Sequence, residues 1–151
     1  MKLKLLLQNI GNTSLKRAEN ELYEGISELL ITLNNNGIVM AVATAKATDY
    51  AKIILDYFGI SHYFKLILGS EMDGTRSSKA EIITEVLRAL DSKGKISSMM
   101  VGDHKHDIIG ARACKINSVG VLWGYGNITE LQSSNATYII NSPKELLDIV
   151  L

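Results

Sequence analysis

The feature that most constrains this chain is an alternation. Apolar runs of strand length are separated by segments whose apolar residues recur with a helical period. Lys2–Gln8 (KLKLLLQ), Ile38–Ala43 (IVMAVA), Phe64–Leu68, Met99–Val101, Ser118–Leu122 and Tyr138–Ile140 read as strands. Between them, Ile26, Leu29, Leu30 and Leu33 fall at i, i+3, i+4 and i+7, and Asn34-Asn35-Asn36-Gly37 stops that helix. Tyr50, Ile53, Ile54 and Tyr57 repeat the pattern up to Gly59. Ser78 and Glu81 form a capping-box signature ahead of a helix carrying Ile83, Val86, Leu87 and Leu90. Ile108–Ala113 predicts a short helix, and Pro143 suits the first turn of a closing helix through Val150. Strands alternating with helices imply right-handed crossovers and a parallel sheet. Because the strands are apolar throughout, both faces of that sheet should be covered. The expected fold is α/β, a three-layer sandwich.

Composition narrows the function classes. The 151 residues set a prior of one domain over 1–151, able to bury roughly two-thirds of its unfolded surface. A hydrophobic share of 46% excludes disorder as the default. With 16 basic and 16 acidic side chains the net charge is zero, so no basic field invites nucleic acid or a membrane surface. Cys114 stands alone and cannot close an internal disulfide, and no Cys/His cluster has zinc spacing. No apolar run spans a bilayer and nothing resembles a cleaved signal peptide, which makes a cytoplasmic location the expectation.

In open α/β sheets, ligands bind beyond the carboxyl ends of the strands. The second strand runs into Thr44-Ala45-Lys46, the third into Gly69-Ser70, and the fourth into Gly102-Asp103, with Asp107 one helical turn further. Lys79 sits in the first turn of its helix, where the dipole disfavours a cation unless it faces an anion. A hydroxyl, a lysine, helix N-terminal amides and two aspartates can together hold phosphate and magnesium, which takes oxygen ligands from one or two carboxylates. Taken singly the pieces are bland: Thr44 serves equally as a turn cap, Lys79 as a solvated residue, and the two acids as turn and first-turn residues.

From Glu21 onward these residues resemble the haloacid dehalogenase (HAD) phosphatase superfamily, nearest its phosphoglycolate-phosphatase-like and 5'-nucleotidase-like members. The stretch VMAVATAKATDYAKIILDYFGISHYFKLILGSEMDGTRSSKAEII carries the second and third motifs, VGDHKHDIIGARA the fourth, and GVLWGYG the next strand and its loop. The resemblance implies a Rossmann-like phosphatase core acting on a phosphorylated small molecule with Mg2+. Thr44 and Ala45 would bind phosphate, Lys79 would balance charge on nucleophile and phosphate, and Asp103 and Asp107 would serve the metal.

The first motif departs from the pattern. Such enzymes carry Asp-x-Asp-Gly-Thr after the first strand, the first Asp as nucleophile and the second as general acid/base. Here KLKLLLQ runs into Asn9-Ile10-Gly11-Asn12-Thr13. Asn9 replaces the nucleophile and Gly11 the acid/base, and an amide is a poor nucleophile while glycine carries no proton to donate. An alternative alignment leaves residues 1–20 outside the motif altogether. About ten residues separate Thr13 from the next helix, too few for the helical cap of this subtype. The expectation is therefore a cap-less HAD-like core with its own turnover lost or severely reduced.

Three other readings stand beside it, one of them that the chain is the remnant of a truncated phosphoglycolate phosphatase. Glu71 or Asp73, past the third strand, could supply a carboxylate. The uncapped end of the sheet could instead be a surface for a partner or a second copy. His62, His104 and His106 read as surface or loop residues, with a weak phosphate role open to His104; Cys114 and Trp123 read as packing residues.

Overall fold

The computed structural model describes residues 4–7, 11–12, 21–71, 78–90 and 97–151. Six strands form one parallel sheet: β1 (Lys4–Leu7), β4 (Val39–Ala47), β5 (Phe64–Ser70), β6 (Ser98–Gly102), β7 (Asn117–Val121) and β8 (Tyr138–Ile140), in the order β5-β4-β1-β6-β7-β8. β1 is central: Lys4–Leu7 pairs with Val39–Val42 on one side and Ser98–Val101 on the other. The order reverses at β1, which makes the crevice beyond β1, β4 and β6 the switch point at which such sheets bind ligands. Two short strands, β2 (Gly11–Asn12) and β3 (Glu21–Leu22), pair antiparallel. Asn9 and Thr13 lie outside the described residues, as does Asp73; Gly11 opens β2.

The helices are α1 (Ile26–Asn35), α2 (Thr48–Tyr57), α3 (Lys79–Leu90), α4 (Lys105–Ala113), α5 (Ile128–Ser133) and α6 (Pro143–Val150), with a 3-10 turn at Ser61–Tyr63. Strand alternation sorts the sheet into two cores. Leu7, Met40, Val42, Met99 and Val101 pack with Leu29, Leu30 and Leu33 of α1 and Leu146 of α6. Ala41, Ala43 and Met100 face the other way, against Ile82, Ile83 and Val86 of α3 and Ala111 of α4. The three-layer α/β expectation holds, and the unbroken apolar strands follow from these two covered faces.

Two elements differ from the sequence expectation. Ile128–Ser133 is helical, but Leu131 alone of its residues is buried, so it carries no apolar period to read. Val39–Ala47 runs past Ala43 as strand, with the register against β5 shifting between Ala43 and Ala47. Thr44, Ala45 and Lys46 occupy that irregular stretch, where a bulge re-aims side chains. Among the described residues no helix is long and apolar enough to cross a membrane.

Leu30 is fully buried between α1 and the sheet, whereas its neighbour Ile31 is 47% exposed. Leu30→Ala is expected to lower unfolding stability by about 2–5 kcal/mol and Ile31→Ala by no more than about 0.5, as read by urea denaturation.

Candidate functional site

Four residues singled out from the sequence come together at the carboxyl-terminal side of β4 and β6, and all are buried: Thr44 is 5% exposed, Lys79 9%, Asp103 3% and Asp107 1%. Burial of four polar groups at one sheet edge demands partners.

Lys79 finds two. Its Nζ lies 2.8 Å from Asp107 Oδ1 and donates to the Ala43 carbonyl at 3.3 Å. The solvated alternative for Lys79 is thereby excluded. The residue starts α3, whose entry is fixed by the capping box read from the sequence. Glu81 N–H donates to Ser78 Oγ at 3.2 Å, and Ser78 N–H donates to Glu81 Oε1 at 3.3 Å.

Asp107 is held from both sides. Its Oδ2 accepts the His104 N–H at 3.2 Å, while His104 Nδ1 accepts the His106 N–H at 3.2 Å. His104 is thus the N-cap of α4 rather than a loop residue, a role hidden because histidine is outside the usual capping set. Gly102 leaves room for this arrangement, since a Cβ there would collide with the Asp107 carboxylate. Burial pushes the Asp107 carboxyl above its ordinary range, and Asp103 adds to this; the Lys79 cation, its hydrogen bond and the His104 amide pull the other way.

Thr44 Oγ1 accepts the Lys46 N–H at 3.2 Å, a local turn that leaves the hydroxyl proton as a donor. The exposed Ala45 is braced through its carbonyl by Ser70 Oγ at 3.0 Å, and Gly69 N–H donates to Thr48 Oγ1 at 2.9 Å. Ser70 and Thr48 thus tie the β4 and β5 ends into one wall.

Sequence reasoning passed over Lys46. It is half-buried, and that burial lowers its pKa, with Asp103 opposing the shift and Lys79 adding to it. Both charges therefore act on it, which places a second cation at the same cluster. Its position two residues past Thr44 was the available signal. Asp103 accepts the Tyr125 N–H at Oδ2, 2.7 Å away, from the loop after β7.

Glu71 is exposed past β5. Trp123 packs against the larger core, and its indole N–H is buried with no acceptor among the described residues. Cys114 contacts the Thr84 hydroxyl and the Ala80 carbonyl, both at 3.4 Å, at the edge of the smaller core.

The arrangement can do two things chemically. Thr44 and the two lysines present donors to an anion. Asp103 offers oxygen to a hard cation, but among the described residues no group of three or more His, Cys, Asp or Glu is placed to hold a metal.

Comparisons with known proteins bear on this geometry. The model of the haloacid dehalogenase-like hydrolase family matches residues 2–121. A 5'-nucleotidase from Pseudomonas aeruginosa is 38% identical over 122 residues, 80% of this chain and 54% of its own. The tyrosine-protein kinase PtkA of Mycobacterium tuberculosis is 38% identical over 125 residues, 83% of this chain and 43% of its own. A Clostridium difficile protein provisionally named a phosphatase superposes with a TM-score of 0.83 at 47% identity, covering 88% of this chain and 62% of that one. The chain spans about half the length of the curated relatives it matches.

Removing Asp107 strands a buried cation. Asp107→Ala should cost about 3–5 kcal/mol, while the double change Lys79→Met/Asp107→Leu recovers most of that loss in urea denaturation. The pH dependence has a definite sign. A carboxyl raised in the folded chain contributes stability that is fully present below its unfolded value of about 3.9 and is lost as pH rises through the folded value. The stability advantage of the natural protein over Asp107→Asn should therefore be larger near about pH 4 than at neutral pH.

Proposed function

The chain belongs to the haloacid dehalogenase-like hydrolase family, and we propose that it binds the phosphate of a phosphorylated small molecule with a divalent cation, while its own phosphatase turnover is lost or strongly reduced. The carrying observation is the buried Lys79–Asp107 pair beside Thr44 at the switch point of the sheet. A lysine held there by a carboxylate keeps its charge at a fixed place next to the Thr44 hydroxyl and the Ala45 backbone, where a phosphate can lie. Lys46 adds a second positive charge.

The donor chemistry fits Mg2+ at Asp103. The carboxylate is a hard oxygen ligand, nearly wholly buried, and magnesium is commonly held by one or two carboxylates plus phosphate oxygens and water. Bound there, Mg2+ would neutralise charge on the phosphate oxygens. Asp107 accepts from both Lys79 and the His104 amide, so its role in this reading is to hold Lys79.

Turnover needs a nucleophile and a proton donor. Asn9 and Gly11 stand where the family pattern places both carboxylates, and neither can do that chemistry. Residues 13–20, between β2 and β3, are also too few for a helical cap, which in this reading leaves the pocket open to a partner or a second copy.

An assay of Mg2+-dependent hydrolysis of p-nitrophenyl phosphate and phosphoglycolate tests the reading. The natural chain should show turnover at background, and Asn9→Asp with Gly11→Asp should raise it by at least about a hundredfold, the scale of a restored acid/base group. Binding of inorganic phosphate, monitored by the melting shift, should survive Asn9→Ala and be lost in Lys79→Met. Clear turnover in the natural chain that vanishes on Asp103→Asn would overturn the inactive reading.

A further inference from the structure

The loop after β7 bears on Asp103 in a way that the phosphate-site residues do not. Gly124, Tyr125 and Gly126 lie against the aspartate with their main chain. Tyr125 N–H donates to Asp103 Oδ2 at 2.7 Å, within the short range of a charge-assisted bond. The two glycines on either side face the same residue at different atoms. A Cβ on Gly124 would collide with the Asp103 carboxylate, and a Cβ on Gly126 would collide with the Asp103 carbonyl oxygen. The Tyr125 side chain, by contrast, is 74% exposed. The loop is anchored behind by the half-buried Trp123 in the larger core and by Leu122 N–H, which donates to the Ile140 carbonyl at 3.0 Å.

We propose that the Gly124-Tyr125-Gly126 backbone is the positioning element for the Asp103 carboxylate, and that it sets the affinity of this site for a divalent cation. The inference rests on the reading of Asp103 as the cation's carboxylate. The mechanism is orientation. A carboxylate whose Oδ2 is tied to a backbone amide loses its freedom to rotate about the Cβ–Cγ bond, so its position is fixed before any cation arrives. Groups behind a metal ligand commonly change metal affinity by about 10–100-fold when lost. Because the contacts are made by main chain and by missing Cβ atoms, backbone changes should matter and the side chain at 125 should not.

The test is Mn2+ binding measured by electron paramagnetic resonance in the presence of inorganic phosphate. Gly124→Ala should raise the Mn2+ Kd at least about tenfold, whereas Tyr125→Ala should stay within about twofold of the natural chain. A Gly124→Ala protein that binds Mn2+ as tightly as the natural chain overturns the proposal, and so does a Tyr125→Ala protein weakened as much as Gly124→Ala. Absence of Mn2+ binding by the natural chain would instead bring down the cation reading itself, and this inference with it. A second measurement needs no variant, in case Gly124→Ala fails to fold. In the natural protein the Tyr125 amide proton should exchange slowly with solvent and its resonance should move on Mg2+ addition. Rapid exchange, or a resonance indifferent to Mg2+, overturns the proposal.

Discussion

The buried ion pair between Lys79 and Asp107 is the constraint on which the ligand end of the molecule depends. At 2.8 Å, with side chains 6% and 1% exposed, neither charge has water to fall back on. Such a pair is weak evidence for stability, because desolvation consumes most of the attraction, but it is strong evidence for placement. Lys79 starts α3 and Asp107 lies in the first turn of α4, so the pair joins two helices that enter the sheet from different crossovers. The second contact, from Nζ to the Ala43 carbonyl, joins both helices to β4 just before Thr44. One side chain thereby references three elements to one another.

The rest of the structure makes that placement possible by size sorting. On the α3/α4 face the β4 positions are Ala41 and Ala43, whereas Met40 and Val42 point to the α1/α6 face. Small residues bring α3 close to the sheet, and a lysine starting at the helix N-terminus can then reach the β4 backbone. Bulkier residues at 41 or 43 would hold α3 further out and leave Nζ short of its carbonyl acceptor. The two-sided core and the site are in this sense one design, since the strand alternation that covers both faces also sets how far Lys79 must reach.

Much of this was legible in the sequence because it is written in short-range pattern. The alternation of strand runs with helical periods implied the layer architecture, and Ser78 with Glu81 marked the start of α3. Asp103 stands just past a strand end, Thr44 just past the apolar run of β4, and Lys79 and Asp107 in first helical turns, positions that a linear reading can locate. What escaped was set by contacts distant in sequence or by unusual chemistry. The pairing of Lys79 with Asp107 is not a periodicity, and the capping role of His104 depends on an imidazole nitrogen in place of a hydroxyl or carboxylate. Lys46 was passed over because nothing local reports that Asp103 and Lys79 act on it. The hold of Tyr125 on Asp103 is invisible for a different reason: it is made by a backbone amide, and every residue but proline has one.

Charge counting links the altered first motif to the proposed role. The cluster carries two cations, Lys46 and Lys79, and two anions, Asp103 and Asp107, all linked by contact or by field. With asparagine at position 9, the chain brings no further negative charge from that position of the motif. A carboxylate there would oppose an incoming phosphate dianion, an opposition that an active phosphatase accepts because the same carboxylate attacks phosphorus. Without the attack there is no such return, and an amide lets the anion approach a neutral cluster with two lysine charges in reach. In that reading a cation at Asp103 would bind more weakly alone and more strongly together with phosphate, whose oxygens can take the place of a carboxylate. In the proposed reading, the asparagine that would withhold the nucleophile would also favour retention of a phosphorylated ligand.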